Sequence, residues 1–187
     1  MMNRREQIIQ IAKREFREFG YTSVSMRDIA GKMEVKAASL YNHIKSKQDI
    51  LAAIIIEVAE EFTSEMQQIV QNEGSTRFKL DAMVAHHIAI TIRNSDALAV
   101  MNNDWMHLDA QNLTYYKNMR DEYEANLRTI IKTGIANGDI KERNPEVILF
   151  SLLSSLRTLY LWYRKRQGID EQTLKNDMAV VLLEGVI

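Results

Sequence analysis

Residues 25–47 read SMRDIAGKMEVKAASLYNHIKSK, and this stretch decides how the N-terminal part of the chain folds. Ser25 with Asp28 three residues later forms a capping-box pattern, which predicts the start of a helix. Apolar residues at helical spacing give this helix one buried face, and Glu34 and Val35 interrupt it. A second short helix of polar and very small residues then begins. Two short helices joined by a tight turn predict a helix-turn-helix, which lays its second helix in the major groove of DNA.

The second short helix carries most of the residues that we expect to contact DNA. Small side chains let a helix approach the base edges, and an alanine methyl group can meet the methyl group of thymine. Tyr41, His43 and Lys47 suit phosphate contacts, which set the register of a protein on the duplex. The predicted DNA-binding residues are Ser25, Arg27, Lys36, Ala37, Ala38, Ser39, Tyr41, Asn42, His43 and Lys47.

Residues 4–50 resemble the DNA-binding domain of the TetR family of bacterial repressors. The resemblance rests on an amphipathic first helix that ends at Gly20, on SMRDIA at 25–30 and on SLYNHIKSK at 39–47. The family usually has glycine in the turn where this chain has Glu34. If that turn needs a left-handed backbone, a residue with a β-carbon is strained there.

The composition is that of an all-helical protein without disulfides. The 187 residues include one proline, seven glycines and no cysteine, which excludes a disulfide framework and a thiolate metal site. Neither a secretory segment nor an apolar run long enough to span a bilayer is recognisable, so we expect a cytoplasmic protein with no membrane partner. We predict an all-α fold with a helix-turn-helix DNA-binding domain at residues 1–50 and a helical effector-binding and dimerisation domain at residues 51–187.

Charge is divided unevenly between these two parts. Residues 1–50 contain ten Lys and Arg against six Asp and Glu, a net charge of +4, whereas residues 51–187 contain 14 against 19, a net charge of −5. A positive head on a negative body is typical of a DNA reader with a second domain for another partner. The charges that matter most by their placement are Arg4, Arg5, Arg27, Lys36, Lys45 and Lys47. The alternative is a compact three-helix N-terminus with a solvated basic face.

Beyond residue 50, helical segments alternate with short breaks, which we predict at 72–75, 94–96 and 137–138, with a less regular segment around 102–105. The helix between the first two breaks is apolar on every side and has His86 and His87 at its centre. The simpler interpretation is a core histidine with a hydrogen-bond partner, and the functional one is a polar anchor in a ligand pocket. Metal binding is disfavoured because few further ligands are at hand, and we expect neither a metal nor a cofactor.

Aromatic and basic residues of the second domain are the candidate effector site. Arg157 is the one charged residue between positions 147 and 163, and a buried arginine needs a partner. That partner is either an acid of the same or of a second subunit, such as Asp104 or Glu184, or the head group of an anionic ligand. The predicted ligand-binding residues are His86, His87, Trp105, Tyr116, Arg120, Tyr123, Arg157 and Tyr160. A core role for most of these aromatic residues is the alternative.

The last two predicted helices have apolar faces, which must pack against another surface to be removed from water. Asn144 and Pro145 predict the start of the first helix and Gly168 its end, while Asp170 caps the second. Pairing with the same helices of a second copy makes an intermolecular four-helix bundle, which the TetR resemblance also implies. The predicted dimer-interface residues are Leu149, Leu152, Ser155, Leu156, Leu159, Leu174, Met178, Val181 and Leu182, and Gly185 extends the last stripe.

Residues 115–168 also resemble TetR-type regulators of fatty-acid or other acyl-CoA catabolism, through residues that include Arg120, Tyr123 and the Trp162-Tyr163 pair. This resemblance implies an acyl-CoA effector, with an apolar pocket for the chain and basic residues for the nucleotide. The broader expectation is a small hydrophobic or anionic effector.

The function class that these observations favour is a ligand-responsive transcriptional regulator. We expect a repressor that binds palindromic double-stranded operator DNA as a homodimer and is released by its effector. A helical-bundle enzyme is one alternative, but the two Glu-x-x-His motifs of a di-iron bundle are missing from the sequence, and we expect no enzymatic activity. A protein-only adaptor, the other alternative, leaves the basic face of the helix-turn-helix unexplained.

Overall fold

The computed structural model describes residues 2–166 and 169–184, and every regular element in these two ranges is helical. The elements in chain order are α1 (Arg4–Phe19), α2 (Met26–Lys32), α3 (Ala37–Leu40), α4 (Lys47–Gln71), α5 (Thr76–Asp104), a 3₁₀ turn (Trp105–His107), α6 (Ala110–Asn137), α7 (Pro145–Tyr163) and α8 (Glu171–Leu183). The all-α fold with an N-terminal helix-turn-helix is therefore confirmed. Within the described ranges, no helix is both long and apolar enough to cross a membrane.

Short polar side chains start the helices where the capping patterns predict them. The Ser25 hydroxyl accepts from the Asp28 N–H, and the Asp28 carboxylate accepts from the Ser25 N–H at 2.7 Å. Asn144 caps α7 with Pro145 at its first position, and Asp170 caps α8. A cap of this kind stabilises a helix by about 1 kcal/mol because it satisfies a backbone donor that the helix leaves unpaired.

The turn between α2 and α3 has a left-handed residue at Glu34, which is the condition under which the sequence analysis expects strain there. Glu34 has a φ of 57°, and no other non-glycine residue of the described chain has a positive φ. The Glu34 N–H donates to the Gly31 carbonyl, and the Val35 N–H donates to the Ala30 carbonyl, both at 3.1 Å. These bonds form a Schellman motif, which usually has glycine at the left-handed position because a β-carbon costs about 1–2 kcal/mol there.

The predicted break at residues 94–96 is a kink inside one helix. Asn94 alone leaves helical geometry, with φ −142° and ψ 40°, and α5 continues to Asp104. The segment expected to be less regular is thus helical as far as Asp104 and becomes a 3₁₀ turn only from Trp105. The apolar residues 97–101, which follow the kink, are all buried.

The end of α7 also differs from the prediction. The helix stops at Tyr163, with Arg164 as its C-terminal cap residue, four positions earlier than the sequence pattern indicates. The predicted stop at Gly168 and the predicted interface position at Gly185 both lie outside the described residues.

The chain forms two compact units. Unit 1 contains Met1–Glu60 and Asp96–Asn118, and unit 2 contains Glu61–Ser95 and Met119–Ile187. Each unit has its own core of large side chains with no appreciable exposure. The unit 1 core includes Ile8, Phe16, Ile29, Leu40, Ile50 and Ile54, and the unit 2 core includes Met66, Leu80, Met83 and Ile88. Truncating one such side chain to alanine typically costs about 2–5 kcal/mol of stability.

The boundaries of these two units differ from the boundary between the two predicted domains. The unit that contains the helix-turn-helix also contains residues 96–118, which the sequence pattern assigned to the second domain. The functional boundary at residue 50 stays a prediction.

Candidate nucleic-acid interface and effector site

The predicted DNA-binding residues lie on and around α3, the helix that the sequence predicts to enter the major groove. Leu40 and Ile44 are buried and anchor this segment in unit 1, so the side chains between and around them are left at the surface. Exposed positions are Ser25, Arg27, Lys36, Ala38, Tyr41, Asn42 and His43, and half-buried positions are Ala37, Ser39 and Lys47. Tyr41 keeps 53% of its surface exposed, and a tyrosine in this state offers both a ring and a hydroxyl to a partner.

Ser25 forms hydrogen bonds at the start of α2, the helix that it caps. Its hydroxyl donates to the Asp28 carboxylate at 2.6 Å and accepts from the Asp28 N–H. The hydrogen bonds that the Ser25 hydroxyl and the Ser25 N–H donate to this carboxylate lower the pKa of Asp28. The serine therefore fixes the start of α2, and with it the position of Arg27 one residue into that helix.

Lys47 is engaged inside unit 1. Its Nζ donates to the carbonyls of Tyr21 at 2.9 Å and of Val24 at 2.8 Å, and it lies 4.2 Å from the centre of the Tyr21 ring. Burial lowers the pKa of this ammonium group, and the nearby Asp104 carboxylate opposes that shift. Two of its three donors are already used, so Lys47 holds the loop between α1 and α2. The phosphate contact predicted for it stays a prediction.

The same loop is tied to the end of α5. The Asp104 carboxylate, on a residue only 7% exposed, accepts a long hydrogen bond of 3.4 Å from the Tyr21 N–H. The Tyr21 ring stacks on His107 with ring centres 5.7 Å apart, and Arg17 of α1 binds Asp96 at 2.6 Å. Burial raises the pKa of Asp104. The C-terminal part of α5 and the 3₁₀ turn thus contact α1 and the loop between α1 and α2 within unit 1.

In unit 2, His87 and Tyr123 form a buried hydrogen-bonded pair. Nε2 of the imidazole lies 2.8 Å from the tyrosine oxygen, and the Phe62 ring packs against both, with ring centres 4.6 and 6.1 Å away. Burial lowers the pKa of His87 to about 3, with smaller contributions from His86 and Arg157. The imidazole is therefore neutral at pH 7. The interpretation as a core histidine with a partner fits His87.

His86 differs from its neighbour because its Nε2 is buried without a hydrogen-bond partner. Among the described residues, the only other buried side-chain polar atom in this state is Oε1 of Gln48. Phe62 packs edge-on against the ring, with centres 5.6 Å apart, and burial lowers the pKa of His86. An unpaired buried polar atom costs about 1–3 kcal/mol, which a ligand that pairs with it would recover.

Arg157 finds its partner on α6. Its Nη2 donates to Oε1 of Glu124 at 2.7 Å, and its side chain is 37% exposed. An internal acid therefore satisfies Arg157, as one of the two interpretations predicted. The prediction of Asp104 or Glu184 as this acid was wrong, because the partner is Glu124. One sequence does not reveal which faces of α6 and α7 meet.

The predicted effector residues are divided between the two units. Trp105 and Tyr116 belong to unit 1, where their rings lie 5.8 Å apart. The members in unit 2 are His86, His87, Arg120, Tyr123, Arg157 and Tyr160. Three of them, His86, His87 and Tyr123, meet around Phe62, which sequence reasoning did not assign to the site. No sequence signal separates Phe62 from the other inward-facing residues of α4.

Helix α7 has two apolar faces, and only one of them is exposed. Five residues predicted for the dimer interface are buried within their own chain: Leu149, Leu152, Leu156, Leu159 and, on α8, Leu174. Of the other four, Ser155 and Val181 are exposed, and Met178 and Leu182 are half-buried. The exposed face of α7 carries Val147, Phe150, Leu161 and Trp162 at its ends and Ser151, Ser154, Ser155 and Thr158 between them.

A groove of about 250 Å³ lies next to the end of α3. It is lined by Arg5, His43, Ile44, Lys45 and Asp49. The side chains of Arg5, His43 and Lys45 are exposed, and within the described residues no hydrogen bond or ion pair engages them. The sequence analysis named Arg5 and Lys45 among the important positive charges. It could not predict that they line the same groove, because they are forty positions apart.

Two family models match this chain. The one described as "Bacterial regulatory proteins, tetR family" matches residues 8–54, which include the helix-turn-helix. The one described as "Tetracyclin repressor-like, C-terminal domain" matches residues 73–186, which is more than half of the chain.

Similar proteins align along nearly their whole lengths. The chain is 23% identical over 185 residues to the HTH-type transcriptional repressor KstR2 of Rhodococcus jostii (strain RHA1), with 98% of this chain and 91% of the relative covered. It is 24% identical over 187 residues to the fatty acid metabolism regulator protein of Bacillus subtilis (strain 168), with 96% and 94% covered. The crystal structure of AibR in complex with isovaleryl coenzyme A and operator DNA shares the fold, with a TM-score of 0.81 and 23% identity, and the match covers 96% of this chain and 97% of AibR. This chain belongs to the TetR family of bacterial transcriptional regulators.

Proposed function

We propose that this regulator is a ligand-responsive repressor that binds palindromic operator DNA and leaves it when a small effector binds. The observation that carries the proposal is the surface of α3. Its anchors Leu40 and Ile44 are buried, whereas the residues around them are small, polar or basic and exposed. Such a surface suits the major groove. Because operator DNA lies in the bacterial cytoplasm, the repressor works there.

The proposed oligomer is a homodimer in which the exposed face of α7 meets the same face of a second copy. Val147 is 60% exposed, Phe150 69% and, on α8, Val181 75%. Large exposed apolar side chains of this kind mark an interaction surface, and the serines between them allow two helices to approach closely. A two-fold symmetric dimer presents two recognition helices, which suits half-sites about 34–36 Å apart.

The proposed effector is a small hydrophobic or anionic molecule, with an acyl-CoA thioester as the first candidate. AibR was crystallised with isovaleryl coenzyme A, and one relative is named for fatty acid metabolism. In this chain, support comes from the unpaired Nε2 of His86 beside Phe62 in unit 2. A neutral imidazole there can hydrogen-bond to a carbonyl oxygen. The effector releases DNA only if it binds the DNA-free state more tightly than the DNA-bound state.

Fluorescence anisotropy tests the DNA-binding part of this proposal. A duplex selected from random sequence by the wild-type protein serves as the operator, and a scrambled duplex of equal composition is the control. We expect selective binding that weakens steeply with salt, and loss of that binding in Tyr41→Ala while the dimer persists in sedimentation. Equally weak binding of wild type to both duplexes would contradict the proposal.

The same assay tests the effector. Isovaleryl coenzyme A, with free coenzyme A as the control, is added to the protein–operator complex. We expect the thioester to release the operator from wild type at a lower concentration than from His86→Phe, because phenylalanine fills the site but cannot form the hydrogen bond. Equal responses of both proteins would remove His86 from the effector site.

A further inference from the structure

We infer that Glu124 occupies Arg157 in the ligand-free protein, and that a phosphate or carboxylate group of the effector takes its place on the guanidinium group. The inference rests on the proposed effector response and adds to the site a competing acid, Glu124, which no sequence pattern assigned to it. The two interpretations of Arg157, an internal acid or an anionic ligand, then describe two states of the same side chain.

The Arg157–Glu124 pair lies at the accessible edge of a buried polar cluster in unit 2. Burial lowers the pKa of His87 and raises the pKa of Tyr123, and the charge of Arg157 lowers both values as a smaller contribution. The rings of this neutral pair are buried, whereas 37% of the Arg157 side chain and 25% of the Glu124 side chain stay exposed. The ion pair is therefore the part of the cluster that a dissolved anion can reach.

One oxyanion can replace another on a guanidinium group. Nη2 of Arg157 donates to Oε1 of Glu124 at 2.7 Å. The planar fork of donors in arginine fits carboxylates and phosphates alike, so an effector anion supplies the same acceptors as Glu124. Arg157 keeps a charged partner in both states, which avoids the cost of leaving a partly buried cation without a counter-charge.

Helices α6 and α7 are joined by a second ion pair that does not involve Glu124. Arg128 of α6 donates to both carboxylate oxygens of Glu146 of α7, and its Nη2 lies 2.9 Å from Oε2. This bidentate pair holds the two helices together independently of the Arg157–Glu124 pair. The exchange of one anion for another on Arg157 therefore leaves the packing of α6 and α7 intact.

The Glu124 carboxylate has a second cation close by on its own helix. Arg128 follows Glu124 by four positions, and an acid four residues before a base is the favourable order on a helix. The hydrogen bond with Glu146 raises the pKa of Arg128, and the charge of Glu124 adds to this shift. Once displaced from Arg157, the Glu124 side chain therefore remains near a positive charge and in contact with solvent.

Competition by Glu124 selects the chemistry of the effector and lowers its affinity. A neutral ligand cannot replace the carboxylate on Arg157, so the site favours anions. The apparent affinity for an anion is reduced by the fraction of molecules in which Arg157 is accessible. Replacement of Glu124 by glutamine should therefore raise this affinity roughly tenfold, as expected for loss of one charge-assisted hydrogen bond.

Thermal melting of the full-length protein in inorganic phosphate tests the exchange without knowledge of the effector. Phosphate is titrated against chloride at equal ionic strength, and the rise in melting temperature gives an apparent dissociation constant. The variants are Glu124→Gln and the matched control Asp81→Asn. Asp81 forms an ion pair with Arg77 in unit 2, and these side chains are 40% and 43% exposed. The control therefore also releases a half-buried arginine from its acid.

We expect Glu124→Gln to bind phosphate roughly tenfold more tightly than wild type, and Asp81→Asn to bind it as wild type does. The gain should disappear when Arg157→Gln is added to Glu124→Gln. Glu124→Asp, which draws the carboxylate back by one methylene group, should shift the affinity in the same direction and serves if glutamine destabilises the fold.

Three results would overturn the inference. The first is equal phosphate affinity in wild type, Glu124→Gln and Glu124→Asp. The second is an equal gain in Asp81→Asn, because phosphate would then bind any arginine released from its acid. The third is a gain that persists when Arg157→Gln is added to Glu124→Gln.

Operator release distinguishes the source of the anion. Isovaleryl coenzyme A supplies phosphates and isovalerate supplies a carboxylate, and we expect Glu124→Gln to release the selected duplex at roughly tenfold lower concentration of the probe whose anion binds Arg157. If Glu124→Gln gains phosphate affinity but neither probe releases the duplex from wild type, the proposed acyl-CoA effector fails and the exchange on Arg157 stands. Release of wild type and Glu124→Gln at the same concentration, without a gain in phosphate affinity, overturns the exchange and leaves the proposed function standing.

Discussion

Residues of one type have different roles at neighbouring positions of this chain. Lys47 donates to two carbonyls of the loop between α1 and α2, whereas Lys45, two positions earlier, lines an open groove. His87 bonds to Tyr123, whereas the buried Nε2 of His86 has no partner. Residue type sets which chemistry is available at a position, and the elements packed around the residue set whether that chemistry is used internally or is left for a ligand.

The buried state of His87 predicts a pH-dependent stability. Its pKa is about 3 in the folded protein and 6.5 in the unfolded reference, so between these values the unfolded state binds one more proton. The stabilisation from neutral His87 is therefore complete above pH 6.5 and is lost as the pH falls towards 3. We expect this residue to account for a decrease of about 2 kcal/mol in the unfolding free energy between pH 7 and pH 5.

Urea titrations at both pH values, on wild type and on His87→Gln, measure this contribution. Glutamine does not titrate but can still hydrogen-bond to Tyr123, so its unfolding free energy should fall by about 2 kcal/mol less than that of wild type. A parallel fall in the two proteins would show that His87 is not the group responsible.

Among the elements, the helix-turn-helix depends on interactions over a few residues. The α2 start is set by Ser25 and Asp28, and its end is set by the Schellman turn at Glu34. Both features are readable in the sequence because a cap or a turn is formed by side chains and backbone groups within one or two helical turns. The family resemblance, which places glycine at this position, raised the question of strain at Glu34, and the positive φ answers it.

Replacement of Glu34 by glycine should stabilise the protein by roughly 0.5–1 kcal/mol. The change relieves the cost of a β-carbon at φ 57°, and the greater chain entropy of glycine in the unfolded state removes part of that gain. Glu34→Ala is the matched control, because it removes the carboxylate and keeps the β-carbon. If alanine stabilises as much as glycine in urea titrations, charge and not backbone strain explains the effect.

Longer elements show where local patterns become ambiguous. Helix α7 is apolar on two faces, and the leucine-rich face predicted to bind a second copy packs inside its own chain. Helix α5 is kinked at Asn94, within the stretch where the sequence predicts a break, and the residues beyond the kink are buried. The sequence indicates both helices correctly, whereas the face of α7 that becomes buried depends on the elements packed against it.

At the scale of the whole molecule, the two faces of α7 predict opposite phenotypes. We expect Phe150→Ser to convert the dimer into a folded monomer, because this side chain is 69% exposed in the single chain. Leu156→Ala should instead lower the unfolding free energy by about 2–5 kcal/mol through loss of core packing. Sedimentation velocity and thermal melting measure the two effects. A dimeric Phe150→Ser protein would exclude this face as the centre of the interface.

The sequence by itself determined the helical class, most helix starts and the helix-turn-helix. These features depend on neighbours that are close in the chain, so capping patterns and apolar periodicity are sufficient to predict them. The family resemblance at residues 4–50 follows from the same local pattern.

Only the tertiary structure decided the partners of the functional residues. It paired Arg157 with Glu124, used Lys47 to hold the loop before α2, left Nε2 of His86 unpaired, and placed Arg5 in the same groove as Lys45. The residues in these contacts are far apart in the chain or compete with equivalent neighbours. Their choice depends on how helices pack, and that packing minimises the free energy of the whole core, which no short stretch of sequence specifies.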